Sequence, residues 1–127
     1  MTKRLLVTDD AIIIREMIKD TAIRAGWEIV GEACNGQQAL EKYRELCASA
    51  QKPNAMTLDL VMPEFDGLHA LKHILGDDPA AKIVVVSALD QKTILKEAFK
   101  LGAADFVVKP FDHQQLVATL NRVAGVC

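Results

Sequence analysis

The feature that most constrains the fold of this chain is a run of four β-branched residues, Ile83-Val84-Val85-Val86. Such residues favour strands, and a strand that is apolar at every position must be covered on both faces. Strands of this kind are typical of parallel sheets with helices on each side, whereas antiparallel sheets more often alternate apolar and polar residues. The run therefore predicts a buried strand over residues 82–87 in a parallel sheet.

Shorter apolar runs precede and follow this strand, and helical patterns separate them. The runs predict further strands at residues 4–8, 28–34, 55–59 and 105–108. Apolar residues at the 3.6-residue period predict five helices, the third capped by Asp66 and the fourth over about residues 90–101. The same period places Met17 and Leu101 on the inward faces of their helices, and Gly26 and Gly102 are typical of helix ends. Alternating strands and helices require right-handed crossovers, so we expect an α/β fold with a doubly wound, five-stranded parallel sheet and five helices. No linker or repeat is evident, so residues 1–127 are expected to form one domain.

Composition disfavours several classes of partner. The 127 residues include 15 Lys or Arg and 17 Asp or Glu, a formal net charge of −2, whereas nucleic-acid binding through bulk electrostatics needs a basic surface. No apolar run approaches the roughly 18 residues of a membrane span, and the amino-terminal residues resemble a strand rather than a signal peptide. Three cysteines without Cys-x-x-Cys spacing indicate reduced thiols. We expect a cytoplasmic monomer that binds neither nucleic acid nor membrane.

Charged and hydroxyl side chains stand at the carboxyl ends of four predicted strands. Strand one is followed by Asp9 and Asp10, strand three ends at Asp59, strand four at Ser87, and strand five is followed by Lys109. In open α/β sheets, ligands bind outside the carboxyl ends of the strands. Charged groups at the ends of apolar strands are costly unless they act on something. The pattern predicts a site at this edge in which Asp59 accepts a phosphoryl group.

Taken together, these residues resemble the receiver domain of bacterial two-component response regulators, most closely the single-domain chemotaxis regulators of the CheY type. The resemblance covers essentially the whole chain. Its motifs are Asp9-Asp10, Asp59 with Met62-Pro63 and Asp66-Gly67, Ser87-Ala88, and Phe106-Val107-Val108-Lys109-Pro110-Phe111. It implies a flavodoxin-like sheet with strand order 2-1-3-4-5, an order for which CheY is itself a standard example.

The resemblance also implies a metal site. In the family, the residues matching Asp10 and Asp59 bind Mg²⁺ directly, the residue matching Asp9 does so through water, and the backbone carbonyl of Val61 is a further ligand. Three carboxylates within a few ångströms repel one another strongly in a partly buried pocket. Their oxygen-only character favours Mg²⁺ over zinc. We therefore expect Mg²⁺ as the cofactor.

The same resemblance assigns the remaining residues to catalysis and switching. Asp59 is the phosphoacceptor, Lys109 pairs with a phosphoryl oxygen, and Ser87 hydrogen-bonds to another. The Lys109-Pro110 bond is cis in the family. Phosphorylation draws Ser87 inward and lets the switch aromatic, Phe106, rotate, so helix four, strand five and helix five form the output face.

Two further sets of residues lead to separate hypotheses. Val61 and Leu89 are apolar where many receivers carry polar side chains, so they cannot orient the attacking water, and we expect slow autodephosphorylation. Three lysines recur every four residues on predicted helix four and form either a solvated face or a basic rim for an acidic partner. They are Lys92, Lys96 and Lys100.

The expected function is a switch that a histidine kinase phosphorylates and that then changes its affinity for a target protein. Because the sequence ends soon after helix five, a chemotaxis regulator acting at the flagellar motor switch is favoured, with a phosphatase as a further partner. A phosphorelay intermediate that passes the group to a histidine phosphotransfer protein remains the alternative.

Two other classes fit poorly. Phosphohydrolases of the haloacid-dehalogenase type need Asp-x-Asp after strand one, and a flavin-binding domain needs a Ser/Thr/Gly-rich loop there. The chain has the adjacent pair Asp9-Asp10 followed by apolar residues. No enzyme activity is expected beyond self-catalysed phosphorylation and autodephosphorylation.

Overall fold

The apolar run around Val84 is one strand of a five-stranded parallel sheet in a computed structural model of the chain, which describes residues 3–62, 67–88 and 90–125. Within these residues, strands and helices alternate as β1 (Arg4–Thr8), α1 (Ile12–Arg24), β2 (Glu28–Ala33), α2 (Gly36–Ala48), β3 (Ala55–Asp59), α3 (Gly67–Asp77), β4 (Ile83–Ala88), α4 (Lys92–Leu101), β5 (Asp105–Lys109) and α5 (His113–Val123). The strand order is β2-β1-β3-β4-β5, with each pair parallel. The predicted fold class and strand order are confirmed.

Two hydrophobic cores lie on opposite faces of the sheet. Successive residues of a strand point to opposite faces, so Val84 packs in one core and Val85 in the other. The first core, which includes Leu116, lies between the sheet and helices α1 and α5; the second, which includes Leu71, lies between the sheet and helices α2, α3 and α4. This explains why β4 is apolar at consecutive positions.

Several helix ends follow from local side-chain chemistry. The side chain of Asn35 caps α2 by accepting a hydrogen bond from Gln38 N at 2.8 Å, and Asp112 caps α5. Gly26 and Gly102 have φ of 90° and 112°, a backbone region that favours glycine, and each follows the end of a helix. Asp66, the expected cap of helix three, lies outside the described residues.

The structure differs from the sequence-based expectations at a few boundaries and side chains. Helix α4 begins at Lys92 rather than at residue 90, and β5 extends to Lys109. Met17 and Leu101 were expected to point inward, but each is 37% exposed. Met17 lies at the edge of the buried stripe of its helix, and Leu101 lies in the last turn of α4. Among the described residues, no helix is both long and apolar enough to cross a membrane.

Candidate functional site

Three aspartates meet at the carboxyl edge of the sheet. Thr8 of β1 pairs with Leu58 of β3, so the residues that follow them, Asp9 and Asp59, lie side by side. One carboxylate oxygen from each of Asp9, Asp10 and Asp59 lies within 4.8 Å of the other two. Two unit charges at this separation repel by about 3 kcal/mol at the effective dielectric near a protein surface. We call these three residues the acidic cluster.

Asp9 is fully buried, and both of its carboxylate oxygens have close neighbours. Its Oδ1 accepts a hydrogen bond from the backbone N–H of Ala11 at 2.9 Å. Its Oδ2 lies 2.8 Å from Lys109 Nζ, the distance of an ion pair, although the angles are not those of a hydrogen bond. The carboxylate of Asp9 is therefore already committed to contacts within the protein.

Asp59 lies at the end of β3 and is only 4% exposed. Its Oδ1 accepts a hydrogen bond from Val61 N at 3.1 Å, and its Oδ2 accepts one from Lys109 Nζ at 3.3 Å. Burial, reinforced by the negative charge of Asp9, raises the pKa of Asp59 to about 6, against the lowering effect of Lys109. At neutral pH this side chain is an ionised, partly desolvated carboxylate.

Lys109 is the cation that balances part of this negative charge. Burial favours the neutral amine, but the close contact with Asp9 and the charges of Asp59 and Asp9 outweigh it, so the pKa of Lys109 is raised. The ammonium group therefore stays charged across the physiological range. The Lys109-Pro110 peptide that follows is cis, as the resemblance implied.

The donor set of the acidic cluster fits a hard divalent cation. With three carboxylates and one ammonium group ionised, two negative charges remain uncompensated. Asp10 is exposed, and its carboxylate makes no hydrogen bond or ion pair with the described part of the chain, so it is available as a ligand. The ligand atoms are oxygens, as Mg²⁺ prefers. Asp10, whose carboxylate has no partner among the described residues, could hold such an ion directly, together with the neighbouring carboxylate of Asp59.

Ser87 lies near the end of β4, one residue beyond Val86, which pairs with Asp59. Its hydroxyl oxygen is buried and has no hydrogen-bond partner among the described residues. A buried polar atom without a partner is costly and is uncommon in folded proteins. By strand alternation its side chain points to the face that packs against α2, α3 and α4, whereas Asp59 points to the face that packs against α1 and α5.

The other predicted residues are not part of the acidic cluster. Phe106 in β5 is 37% exposed and packs edge-to-face against Phe99 of α4, with ring centroids 5.8 Å apart. Val61 is 45% exposed and binds Asp59 through its backbone N–H. The three predicted partner-binding lysines are exposed on α4; they are Lys92, Lys96 and Lys100. Leu89, Pro63 and Asp66 lie outside the described residues.

Gly67 allows the chain after β3 to return onto the strand end. Its N–H donates to the carbonyl of Leu60 at 3.2 Å. A Cβ at this position would lie 2.3 Å from the backbone oxygen of Asp59, closer than any real contact. A side chain here would therefore displace the backbone that carries the predicted phosphoacceptor.

Two residues at the carboxyl edge of the sheet were not predicted from the sequence. Gln91 accepts a hydrogen bond through Oε1 from the N–H of Ala88, directly after Ser87, at 2.8 Å. Arg15, on α1, donates to the backbone oxygen of Asp9 at 2.7 Å. A signal for Arg15 was present, because a cation near the amino terminus of a helix opposes the helix dipole and needs a local reason.

Comparisons with known proteins agree with this fold and with a functional site at the carboxyl edge of the sheet. Residues 5–121 match the model of the response regulator receiver domain family. The chain is 48% identical over 124 residues to the chemotaxis protein CheY of Thermotoga maritima, covering 98% of this chain and 99% of that one. It is 43% identical over 122 residues to CheY of Bacillus subtilis, covering 96% and 98% of the two chains. The chain therefore belongs to the response regulator receiver domain family, and its sequence is of the CheY type.

Solved structures of other proteins agree with the assignment to this family. A CheX–CheY complex with beryllium fluoride and magnesium from Borrelia burgdorferi is similar with a TM-score of 0.88 at 27% identity, covering 95% of this chain and 88% of that chain. The response regulator domain of Thermotoga maritima CheB is similar with a TM-score of 0.87 at 30% identity, covering 100% and 99%. Both are receiver domains of two-component signalling proteins, the class that the fold and the acidic cluster indicate.

Proposed function

We propose that this protein is a phosphorylation-activated switch in which Asp59 accepts a phosphoryl group from a histidine kinase. The observation that carries the proposal is the position of Asp59 in a CheY-type receiver fold: a nearly buried carboxylate beside Asp9, 3.3 Å from Lys109 Nζ, at the carboxyl edge of the sheet. A carboxylate in this setting is a nucleophile of the kind that forms aspartyl phosphates.

The proposed reaction moves one phosphoryl group. An oxygen of the Asp59 carboxylate forms a bond to phosphorus while the P–N bond of the donor phosphohistidine breaks, and the leaving imidazole nitrogen takes up a proton. Lys109, already 3.3 Å from Asp59 Oδ2, would stabilise the negative charge on the transferred group. The hydroxyl of Ser87 lacks a partner among the described residues, and it would turn toward the strand end to donate to a second phosphoryl oxygen.

Mg²⁺ is the cofactor that the acidic cluster fits. When bound, it would neutralise charge shared by the carboxylates and the incoming phosphoryl group. We propose Asp10 and Asp59 as its direct ligands, Asp9 as a ligand through water and the carbonyl of Val61 as a further ligand. The carboxylate of Asp10 supports its place as a direct ligand, because it has no partner among the described residues; the roles proposed for Asp9, Asp59 and Val61 follow the family pattern.

The output surface is proposed to include α4, β5 and α5. Phe106 and Phe99 form an exposed aromatic pair, and α4, which carries Phe99, also carries exposed lysines. These lysines are Lys92, Lys96 and Lys100. An acidic partner with apolar anchor residues suits such a surface, because the anchors bury against the rings while the charges attract.

The experiment that tests the phosphoacceptor is intact mass after incubation with acetyl phosphate, with and without Mg²⁺. The native chain is expected to gain one phosphoryl group in a Mg²⁺-dependent reaction, and Asp59→Asn is expected to gain none. Asp20→Asn, which removes an exposed carboxylate on α1, is the matched control and should react like the native chain. An adduct that persists in Asp59→Asn would contradict the assignment.

For the target, we propose the flagellar motor switch, because relatives named CheY match nearly the whole chain. The chain treated with beryllium fluoride and Mg²⁺ is expected to bind a purified motor switch protein more tightly than the untreated chain. Rapid transfer of a labelled phosphoryl group to a histidine phosphotransfer protein, without motor-switch binding, would favour the phosphorelay alternative. A CheX-type phosphatase is a further proposed partner, since a similar CheY was solved with CheX.

A further inference from the structure

We propose that Arg15 is a positioning residue for the acidic cluster, and that it sets the Mg²⁺ affinity of the site by holding the Asp9-Asp10 backbone. This inference rests on the proposed function, because it concerns the same metal site. Arg15 donates through one terminal guanidinium nitrogen to the backbone oxygen of Asp9 at 2.7 Å. Its Nε lies 3.3 Å from Glu32 Oε1 on β2.

The guanidinium group joins three elements. It extends from α1, contacts the end of β1 through Asp9, and pairs with β2 through Glu32. Only 15% of the Arg15 side chain is exposed, so it lies against the protein rather than in solvent. Its planar fork can make both contacts at once, which the single ammonium group of lysine does less well.

The loop between β1 and α1 needs this support because no side chain caps the amino terminus of α1. Ala11, the residue before α1, offers no side-chain cap, and its N–H is taken by Asp9 Oδ1. The N–H of Asp9 donates to Ala33 of β2 at 3.2 Å. The carbonyl of Asp9 is satisfied by the guanidinium group of Arg15.

Asp10 is the residue that this arrangement positions. Its carboxylate has no partner of its own among the described residues, so its direction depends on the backbone that leads to it. Holding the Asp9 carbonyl fixes the peptide between Asp9 and Asp10. A ligand that is already oriented loses less conformational entropy when a metal binds.

Electrostatics alone predicts the opposite effect, which makes the inference testable. Arg15 is a cation near a site for a cation, so if only its charge mattered, removing it would strengthen Mg²⁺ binding. If positioning dominates, removing it weakens Mg²⁺ binding by about tenfold, the lower range for groups that orient metal ligands. The sign of the change separates the two.

The test is calorimetric titration of Mg²⁺ into the native chain, Arg15→Met and Arg15→Lys, with Lys19→Met as the matched control. Lys19 also pairs with Glu32, at 2.9 Å, but has no contact with the carbonyl of Asp9. We expect weaker binding in Arg15→Met, partial recovery in Arg15→Lys, and native or slightly tighter binding in Lys19→Met. Unchanged or tighter binding in Arg15→Met would overturn the inference.

A second readout separates positioning from general damage. With acetyl phosphate, the Mg²⁺ concentration that gives half the maximal phosphorylation rate should rise in Arg15→Met, while the rate at saturating Mg²⁺ stays within about twofold of native. If Arg15→Met does not fold, Arg15→Lys carries the same comparison. A native chain that binds no Mg²⁺ would refute the proposed metal site itself, whereas native binding with no effect of Arg15 would refute only this inference.

Discussion

The ammonium group of Lys109 lies closer to Asp9 than to Asp59, at 2.8 Å against 3.3 Å. The lysine therefore holds both buried members of the acidic cluster, Asp9 and the predicted phosphoacceptor Asp59. A cation entering the cluster encounters a positive charge already in contact with two of the three carboxylates. Lys109 and Mg²⁺ are thus expected to oppose each other electrostatically in the unphosphorylated protein.

Removing the charge of Lys109 should strengthen Mg²⁺ binding. Lys109→Met takes away a positive charge next to the metal ligands, and the relief of repulsion corresponds to about a tenfold lower dissociation constant. Lys109→Arg keeps the charge and should stay near the native affinity. Titration calorimetry measures both variants. A weaker affinity in Lys109→Met would mean that the lysine orders the carboxylates more than it repels the metal, as proposed for Arg15.

The raised pKa of Asp59 should make the metal-free protein less stable as the pH rises. A carboxyl group with a pKa of about 6 in the folded state, against an ordinary value of 3.8, binds its proton more tightly when folded. The resulting stability is complete below pH 4 and is lost as the pH rises through about 6. Asparagine does not ionise, so Asp59→Asn should keep its stability as the pH rises. The free energy of unfolding of Asp59→Asn should therefore exceed that of the native chain by near zero at pH 4 and by about 1–3 kcal/mol above pH 6.

Urea unfolding in the presence of a chelator, at several pH values, gives this difference directly. Asp20→Asn is the control, since it removes an exposed carboxylate outside the acidic cluster. If the free energies of unfolding of Asp59→Asn and the native chain ran parallel from pH 4 to pH 8, the proposed burial cost of Asp59 would be incorrect.

The apolar side chain of Val61 should slow loss of the phosphoryl group. It is 45% exposed beside Asp59 and offers no hydrogen bond to an attacking water molecule. Val61→Asn adds a donor and an acceptor there, so we expect autodephosphorylation to accelerate by at least about tenfold. Decay of the phosphoryl adduct, followed by mass after removal of acetyl phosphate, measures the rate. Val61→Leu is the matched apolar control, and equal decay in all three proteins would refute the idea.

A buried hydroxyl below the site should cost stability. Thr57 in β3 is fully buried, and its hydroxyl oxygen has no partner among the described residues. Thr57→Val removes that unsatisfied group at nearly the same size, so the free energy of unfolding should rise by about 1 kcal/mol.

Thr119 provides the comparison for Thr57. It is also buried, but its hydroxyl donates to the carbonyl of Gln115 at 2.8 Å. Thr119→Val should therefore leave stability unchanged or lower it by up to about 1 kcal/mol. Thermal and urea unfolding measure both variants, and a destabilised Thr57→Val would show that its hydroxyl is satisfied in solution.

Much of the fold could be predicted because the apolar pattern is strong. The run centred on Val84 and Val85 identified a strand covered on both faces, and most predicted strand boundaries fell within one residue of those observed. Boundaries were less certain where capping decides them, as at Lys92, where helix α4 starts two residues later than expected. Met17 shows another limit, because an apolar residue at the edge of a helical stripe can be buried or exposed depending on its neighbours.

The sequence predicted which residues meet at the site, but not which of them contact one another. The positions of Asp9, Asp10 and Asp59 at strand ends indicated that they would meet, and they do. The sequence could not show that Asp9 is the buried one and Asp10 the exposed one, because adjacent residues in a turn point in different directions. The contact between Lys109 and Asp9 joins residues 100 positions apart, which no local pattern reveals.

The sheet separates the two parts of the proposed switch. By strand alternation, the charged residues Asp9, Asp59 and Lys109 belong to the side covered by α1 and α5, while Ser87 and Phe106 belong to the side covered by α2, α3 and α4. Substitutions that reshape the surface around Phe106 therefore fall in a different layer from the phosphoacceptor. A receiver built in this way could acquire a new target during evolution without altering the residues that accept the phosphoryl group.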